Sequence, residues 1–159
     1  MTDLSEYDRA LSRKRAAAGV LFFDSSGRVM IVDPVYKECW EIPGGAVEKD
    51  ESPRAGARRE VREELGLDIE PGRLLSVDWT APRAERSEGI AMLFDGGELS
   101  GEQLEAVRLQ PEELRAFEFA SKDQLERRLI PVLARRVKAS IDARRRATTV
   151  YLENGSAVG

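Results

Sequence analysis

Apolar residues follow two rhythms along this chain. AAAGVLFFD (residues 16–24) and RVMIVDP (28–34) are nearly unbroken apolar runs on either side of the turn-forming Ser25, Ser26 and Gly27. They predict two buried strands joined as a hairpin that closes at Pro34. CWEIP (39–43) reads as another short strand, after which GGAV (44–47) bends the chain. LLSVDWTAP (74–82), IAMLFDGGEL (90–99) and LRAFEFA (114–120) have strand character, with alternating faces in the first and last, and the polar RAERSEG (83–89) reads as a loop. A helical rhythm takes over from Pro53 to Leu65. Ser52 can cap free N–H groups, Pro53 suits a first helical position, and Gly66 is a stop. Ser121 caps a further short helix. Residues 131–146 form a longer one, with Val132, Leu133, Val137 and Ile141 as its apolar stripe. Residues 102–110 read as loop, 1–14 as a polar lead-in with a short helix at most, and 147–159 as a loose tail. No repeat or linker interrupts the pattern. The chain is therefore read as one domain, 1–159, of mixed α/β or α+β class with its core at about 16–146.

Composition narrows the function classes. A chain of 159 residues with 42% hydrophobic positions can bury a single core, and its mixed charges argue against disorder. A net charge of −4 argues against a general nucleic-acid binder. The arginine-rich stretch ARRVKASIDARRR is then a solvated helix face with positive charge near its C-terminal end rather than an RNA surface. Cys39 is the one cysteine, so no internal disulfide forms. With no secretory pattern and no apolar run long enough for a bilayer, the expectation is a reduced, cytoplasmic setting without a membrane. There is no histidine. That excludes Ser–His and Cys–His catalytic pairs and leaves acid–base chemistry to carboxylates, lysine, tyrosine or metal-bound water.

The candidate chemistry lies on the helix at Pro53–Leu65. With Glu60 at zero, Glu64 falls at about +40° and Glu63 at about −60°, while Ala57, Val61 and Leu65 fall at about +60° to +140°. The acid stripe thus borders the apolar stripe, at the edge of a helix–sheet contact. Like charges at i, i+4 cost a helix a few tenths of a kcal/mol, and Arg59–Glu63 is the one compensating pair of that spacing. A charged surface helix is one reading. A divalent cation held by hard carboxylate oxygens is the other.

Written from Gly45, the segment is GAVEKDESPRAGARREVREELGL. Gly45, Glu51, Arg59-Glu60, Glu63-Glu64 and Gly66-Leu67, with Val61 aliphatic, match every fixed position of the signature of the Nudix hydrolases, which this chain resembles over roughly residues 16–130. The resemblance implies an α/β/α sandwich around a mixed β-sheet. It also implies hydrolysis of a nucleoside diphosphate linked to another group, with Mg²⁺ or Mn²⁺ as cofactor. Glu60 and Glu64 match metal ligands, Glu63 a third acid that ligates or orients water, and a carbonyl near Gly44 and Gly45 completes the set. Arg59 matches an arginine that pairs with Glu51 and supports the ligands from behind. Glu112 and Glu113 after Pro111, or Glu88 in the polar loop, are the candidates for general base; the rival reading of the Glu112 pair is strand flanking.

For the substrate, Arg83 and Arg86 could grip phosphates or be solvated, and Trp40 could stack on a base or pack. Trp79 and Phe94 share Trp40's ambiguity, and Lys37 and Arg15 are further basic candidates. Pro82 stands where ADP-ribose pyrophosphatases of this family carry a proline. The substrate stays open between a nucleoside triphosphate, oxidised or not, and an ADP-ribose or nucleotide-sugar compound. The partner expected is this small molecule and not nucleic acid, and a homodimer is one assembly that the strand edges allow. The alternative class is a non-catalytic domain of the same fold that senses a nucleotide or mediates contacts. Such domains usually carry broken signatures, and this signature is intact.

Overall fold

The two apolar runs form β1 (Arg15–Phe23) and β2 (Val29–Pro34). In β1, Leu21 and Phe23 enter one core cluster while Val20 and Phe22 enter another on the opposite face. A strand covered on both faces needs no polar alternation, which is why its sequence reads as continuous. The computed structural model describes residues 5–159; residues 1–4 of the polar lead-in lie outside them. Within the lead-in, α1 (Glu6–Ala10) is a single turn capped by Ser5 Oγ, which accepts from Asp8 N at 3.1 Å.

The next segment departs from expectation. Residues 39–43 hold only an isolated bridge, Glu41 to Val32, and the strand β3 (Gly44–Ala46) falls on the glycines read as a bend. The reason is close approach. Gly44 pairs with Gly19 of β1 and has φ +149°, and a Cβ there would collide with the Ala18 carbonyl. Only glycine lets the backbones meet at that point.

The helix α2 (Pro53–Leu65) has the bounds and caps read from the sequence. Ser52 Oγ accepts from Ala55 N, and Gly66 turns left-handed at φ 71°. β4 (Leu74–Thr80) and β5 (Gly89–Glu98) follow. Residues 102–110, read as loop, carry α3 (Gly101–Ala106) instead. Ser100 and Gln103 close a reciprocal capping box, which holds even a six-residue helix at its start. β6 (Leu114–Ala120), α4 (Lys122–Arg128) and α5 (Pro131–Arg145) fall as expected. In α5, Leu133, Val137 and Ile141 are buried, whereas Val132 is half-buried.

The loose tail is corrected too. Residues 150–157 form β7 (Val150–Glu153) and β8 (Ser156–Ala157), a hairpin on the sheet edge. Its turn residues Asn154 and Gly155 both have positive φ, at 51° and 80°, the backbone that an Asn-Gly hairpin favours.

The sheet order is β6-β2-β1-β5-β4-β7-β8, with β3 on β1. β1·β5 and β4·β7 are parallel and the other pairs antiparallel, so the sheet is mixed. Because β5 takes one edge of β1 along its length, β2 and β3 share the other, at opposite ends of the strand. Helix α2 covers one face with Ala57, Val61 and Leu65; α4 and α5 cover the other with Leu125, Leu133 and Val137. The result is an α/β/α sandwich. Among the described residues no helix is long and apolar enough to cross a membrane.

Candidate active site

The acidic helix face meets β3 at its two glycines. Glu64 is only 6% exposed, and its Oε1 accepts from Gly44 N at 2.8 Å. Burial, opposed by that hydrogen bond and reinforced by the charges of Glu60, Glu113 and Glu41, pushes the Glu64 pKa up to about 8. Glu60 lies one turn back, against Gly45. A Cβ on Gly45 would stand 2.6 Å from the Glu60 carboxyl carbon, so glycine leaves the space that the carboxylate fills. Burial raises the Glu60 pKa as well; Arg59 opposes this, and Glu63 and Glu113 add to it.

Arg59 stitches the loop before α2 to the helix. Its Nε and Nη2 donate to the two oxygens of Glu51 at 2.8 and 3.0 Å, and Nη2 also reaches the Ala46 carbonyl at 3.1 Å. Its Nη1 meets Glu60 at 3.1 Å and Glu63 at 3.2 Å. The guanidinium, together with Glu48 N donating to Glu51, holds the Glu51 carboxyl down at about 2. Gly56 provides the room: a Cβ there would lie 2.9 Å from Glu51 Oε1.

Among the described residues no group of three carboxylate or thiol side chains is gathered as a ready-made cation cage. Arg59 instead pairs with Glu60 and Glu63. The donor set nevertheless fits a hard divalent cation. It offers carboxylate and backbone oxygens with no soft ligand, and Glu64 is disfavoured as an anion until positive charge arrives.

Of these side chains, Glu64 opens into a cleft of about 760 Å³, whereas Glu51, Arg59, Glu60 and Glu63 are not among the residues that line it. Gly44, Gly45, Glu64 and Glu41 line it beside the pairing of β3 with β1, and Arg15, Arg83 and Arg86 line it towards the start of β1, where Arg15 pairs with Gly89. Glu113 sits in the turn before β6, exposed, with its carbonyl bonded to Val35 N, and its charge reaches both Glu60 and Glu64. Glu112 is exposed in the same turn. Glu88 is engaged elsewhere: it accepts from Trp79 Nε1 at 2.7 Å and pairs with Lys14 at 3.4 Å, which lowers its pKa. Trp79 is thereby tied as well.

Trp40 does not line the cleft. It packs against the core, with the Arg128 guanidinium 4.8 Å from its ring centre. Phe94 is buried beneath α2. Lys37 lines the cleft and pairs with Glu41.

Several lining residues were not singled out from the sequence. Tyr36, with 71% of its surface exposed, stands at the cleft wall. Arg135, Arg136 and Asn154 complete the opposite side. They converge there because Asn154 O accepts from Arg135 at 2.8 Å and Asp78 takes Arg136 Nε at 2.6 Å. The Asn-Gly turn signal could have placed Asn154 in a hairpin; no local signal marks Tyr36.

Comparison with known proteins agrees with this geometry. A model of the NUDIX domain matches residues 13–140. An 8-oxo-dGDP phosphatase from Danio rerio is 32% identical over 128 residues, which cover 79% of this chain and 36% of that protein. The chain thus spans only about a third of that relative's length. A MutT-like protein from Streptomyces ambofaciens is 31% identical over 127 residues, covering 80% of this chain and 76% of that one. In fold, the crystal structure of a UDP-X diphosphatase superposes with a TM-score of 0.71 at 19% identity, over 95% of this chain and 76% of that one.

Proposed function

The chain belongs to the Nudix hydrolase family, and on that premise we propose that it cleaves a nucleoside diphosphate linked to another group, by divalent-metal-dependent attack of water on phosphorus. The observation that carries this reading is the clasp of buried Glu64 by the Gly44 amide, beside Glu60, in the cleft.

Glu60, Glu63, Glu64 and the Gly45 carbonyl would hold Mg²⁺ or Mn²⁺, which when bound supplies positive charge for the phosphates and lowers the pKa of the attacking water. The chain's own groups do the rest. Glu113 accepts the proton of that water on a carboxylate oxygen, with Glu112 beside it as the alternative acceptor. Arg59 and Glu51 keep the loop and helix in register, so that the carboxylates hold their positions. Arg83 and Arg86 meet anionic groups of the substrate in the cleft. Trp40, held beneath Arg128, is left out of the substrate site. The substrate is a nucleoside triphosphate, oxidised or not, or an ADP-ribose or nucleotide-sugar compound. The name of the Danio rerio relative supports an oxidised nucleotide.

The test is product release from triphosphates, oxidised triphosphates, ADP-ribose, nucleotide sugars and dinucleoside polyphosphates, each with Mg²⁺, Mn²⁺ or chelator. Turnover that needs metal and falls to background in Glu64→Gln is the expected result. Full activity in Glu64→Gln would overturn the mechanism. Nucleotide binding without turnover would make the domain a sensor.

A further inference from the structure

Among the described residues, three arginines that line the cleft have no counter-ion. Arg15 opens β1, and Arg83 and Arg86 stand on the loop before β5, where their backbones pair: Arg83 N to Arg86 O at 2.8 Å and Arg86 N to Arg83 O at 3.0 Å. All three line the cleft. Arg15 is fixed to the same loop, since its Nη2 donates to the Ser87 carbonyl at 2.6 Å and its Nε to Ser87 Oγ at 3.2 Å. Desolvation first, and then the charges of Arg86 and Arg83, lower the Arg15 pKa.

Among the described residues, none of the three forms an ion pair. The neighbouring acids do not answer them: Glu88 is taken by Lys14 and Trp79, and Glu85 is exposed, with no ion pair among the described residues. The other arginines of the cleft are spent, Arg136 on Asp78 and Arg135 on the Asn154 carbonyl. Like charges held together without a counter-ion cost free energy, and guanidinium forks match the oxygens of a phosphate.

The spacing separates this cluster from the acidic end. Gly45, against Glu60, pairs with Ala18 of β1. Arg15 lies three residues back on the same strand, roughly 10 Å away at the rise of a β-strand. A substrate that reaches from Glu64 to Arg15 therefore runs along this stretch of β1.

We propose that Arg15, Arg83 and Arg86 receive a second anionic group, a phosphomonoester on the moiety beyond the scissile diphosphate, roughly 10 Å from it along β1. The proposal rests on reading the acidic end as the site of diphosphate hydrolysis, and among nucleoside diphosphates linked to another group it selects those that carry a further phosphate, in place of a plain triphosphate, ADP-ribose or nucleotide sugar. Arg83 and Arg86 are exposed, so the attraction is screened over about 8 Å at physiological salt and weakens as salt rises.

The experiment compares matched compounds that differ by one phosphomonoester: NAD with NADP, and dephospho-coenzyme A with coenzyme A. kcat/KM is measured with Mg²⁺ for the wild type, for Arg83→Ala/Arg86→Ala and for Arg83→Lys/Arg86→Lys, with thermal melts confirming folding. The expected preference for the phosphorylated member is roughly 10- to 100-fold, the worth of about one charged hydrogen bond. It falls to near one in the alanine variant and recovers in part in the lysine variant. A ratio near one in the wild type for both pairs, or an unchanged ratio in the alanine variant, overturns the proposal. A second measurement does not need turnover. Adenosine 2′,5′-bisphosphate and adenosine 5′-monophosphate are titrated calorimetrically into the wild type and the alanine variant. Tighter binding of the bisphosphate that is lost in the variant supports the arginine site even if no compound is hydrolysed, in which case only the hydrolytic reading fails. Equal affinities in the wild type overturn the arginine site.

Discussion

Glu64 and Gly44 meet across twenty residues of chain, the Glu64 carboxylate accepting the Gly44 amide at 2.8 Å. The folded protein holds the Glu64 proton up to about pH 8, against 4.5 for an ordinary glutamate. Between those values the native state binds more protons than the unfolded chain, so the stability of the metal-free protein falls as pH rises from about 4.5 to about 8 and levels off above. Denaturant melts in chelator at pH 5 and pH 8.5 should show this loss, and Glu64→Gln should shrink it. Added Mg²⁺ should stabilise more at pH 8.5 than at pH 5, because proton and cation compete for the same carboxylate. Equal Mg²⁺ effects at both pH values would count against Glu64 as a ligand.

Arg59 and Glu51 give the opposite sign. The Glu51 carboxyl is held at about 2, below its ordinary 4.5, so its contribution is present above about 4.5 and is lost as pH falls towards 2. Glu51→Gln should therefore flatten the acid limb of the stability curve. Arg59→Lys keeps a charge but cannot reproduce the two-pronged contact. It should lower metal affinity or activity by about 10- to 100-fold, as loss of a ligand-orienting partner does. Titration of Mg²⁺ against activity checks it, and an unchanged titration would leave Arg59 as surface charge.

Gly44→Ala should destabilise the fold by about 2–4 kcal/mol, combining an unfavourable positive φ with collision against the Ala18 carbonyl. Gly101→Ala is the control. Nothing lies within 4 Å of a Cβ there, and it opens a helix, so the change should be neutral or slightly stabilising. Urea midpoints of the two variants decide; equal midpoints would refute the close-approach account of β3.

Asp78 is completely buried and accepts Arg136 Nε at 2.6 Å and Gly155 N at 3.0 Å. It joins β4, α5 and the β7–β8 turn. Asp78→Ala leaves a largely buried guanidinium unpaired and should cost about 3–5 kcal/mol. Hydrogen exchange should show residues 150–157 losing protection before the rest of the sheet. Retained protection there would mean that β7 is held by its pairing to β4 alone.

Local chemistry in the sequence determined a good deal of this protein. Ser52, Pro53 and Gly66 bound α2 through capping and backbone preference, interactions that span a few residues. The 3.6-residue period then put Glu60 and Glu64 on one side, next to the buried stripe. The spacing of Arg59, Glu51 and the three glutamates was sufficient for the family. Two missed elements were local too: the Ser100–Gln103 capping box and the Asn154-Gly155 turn. Each supports only a handful of residues, which take their stability from neighbours, so the local signal alone does not specify an element. The tertiary structure alone decided the rest. β3 falls on Gly44–Ala46 because Gly19 and Gly44 let two distant backbones touch. The Glu64 proton is held first by burial under the folded sheet and then by the charges of Glu60, Glu113 and Glu41, the last two from segments distant in sequence. Tyr36 shares a cleft with Arg135 and Asn154 because sheet order brings together segments about a hundred residues apart. Contacts at that separation depend on how the whole chain closes, and no short window of sequence contains them.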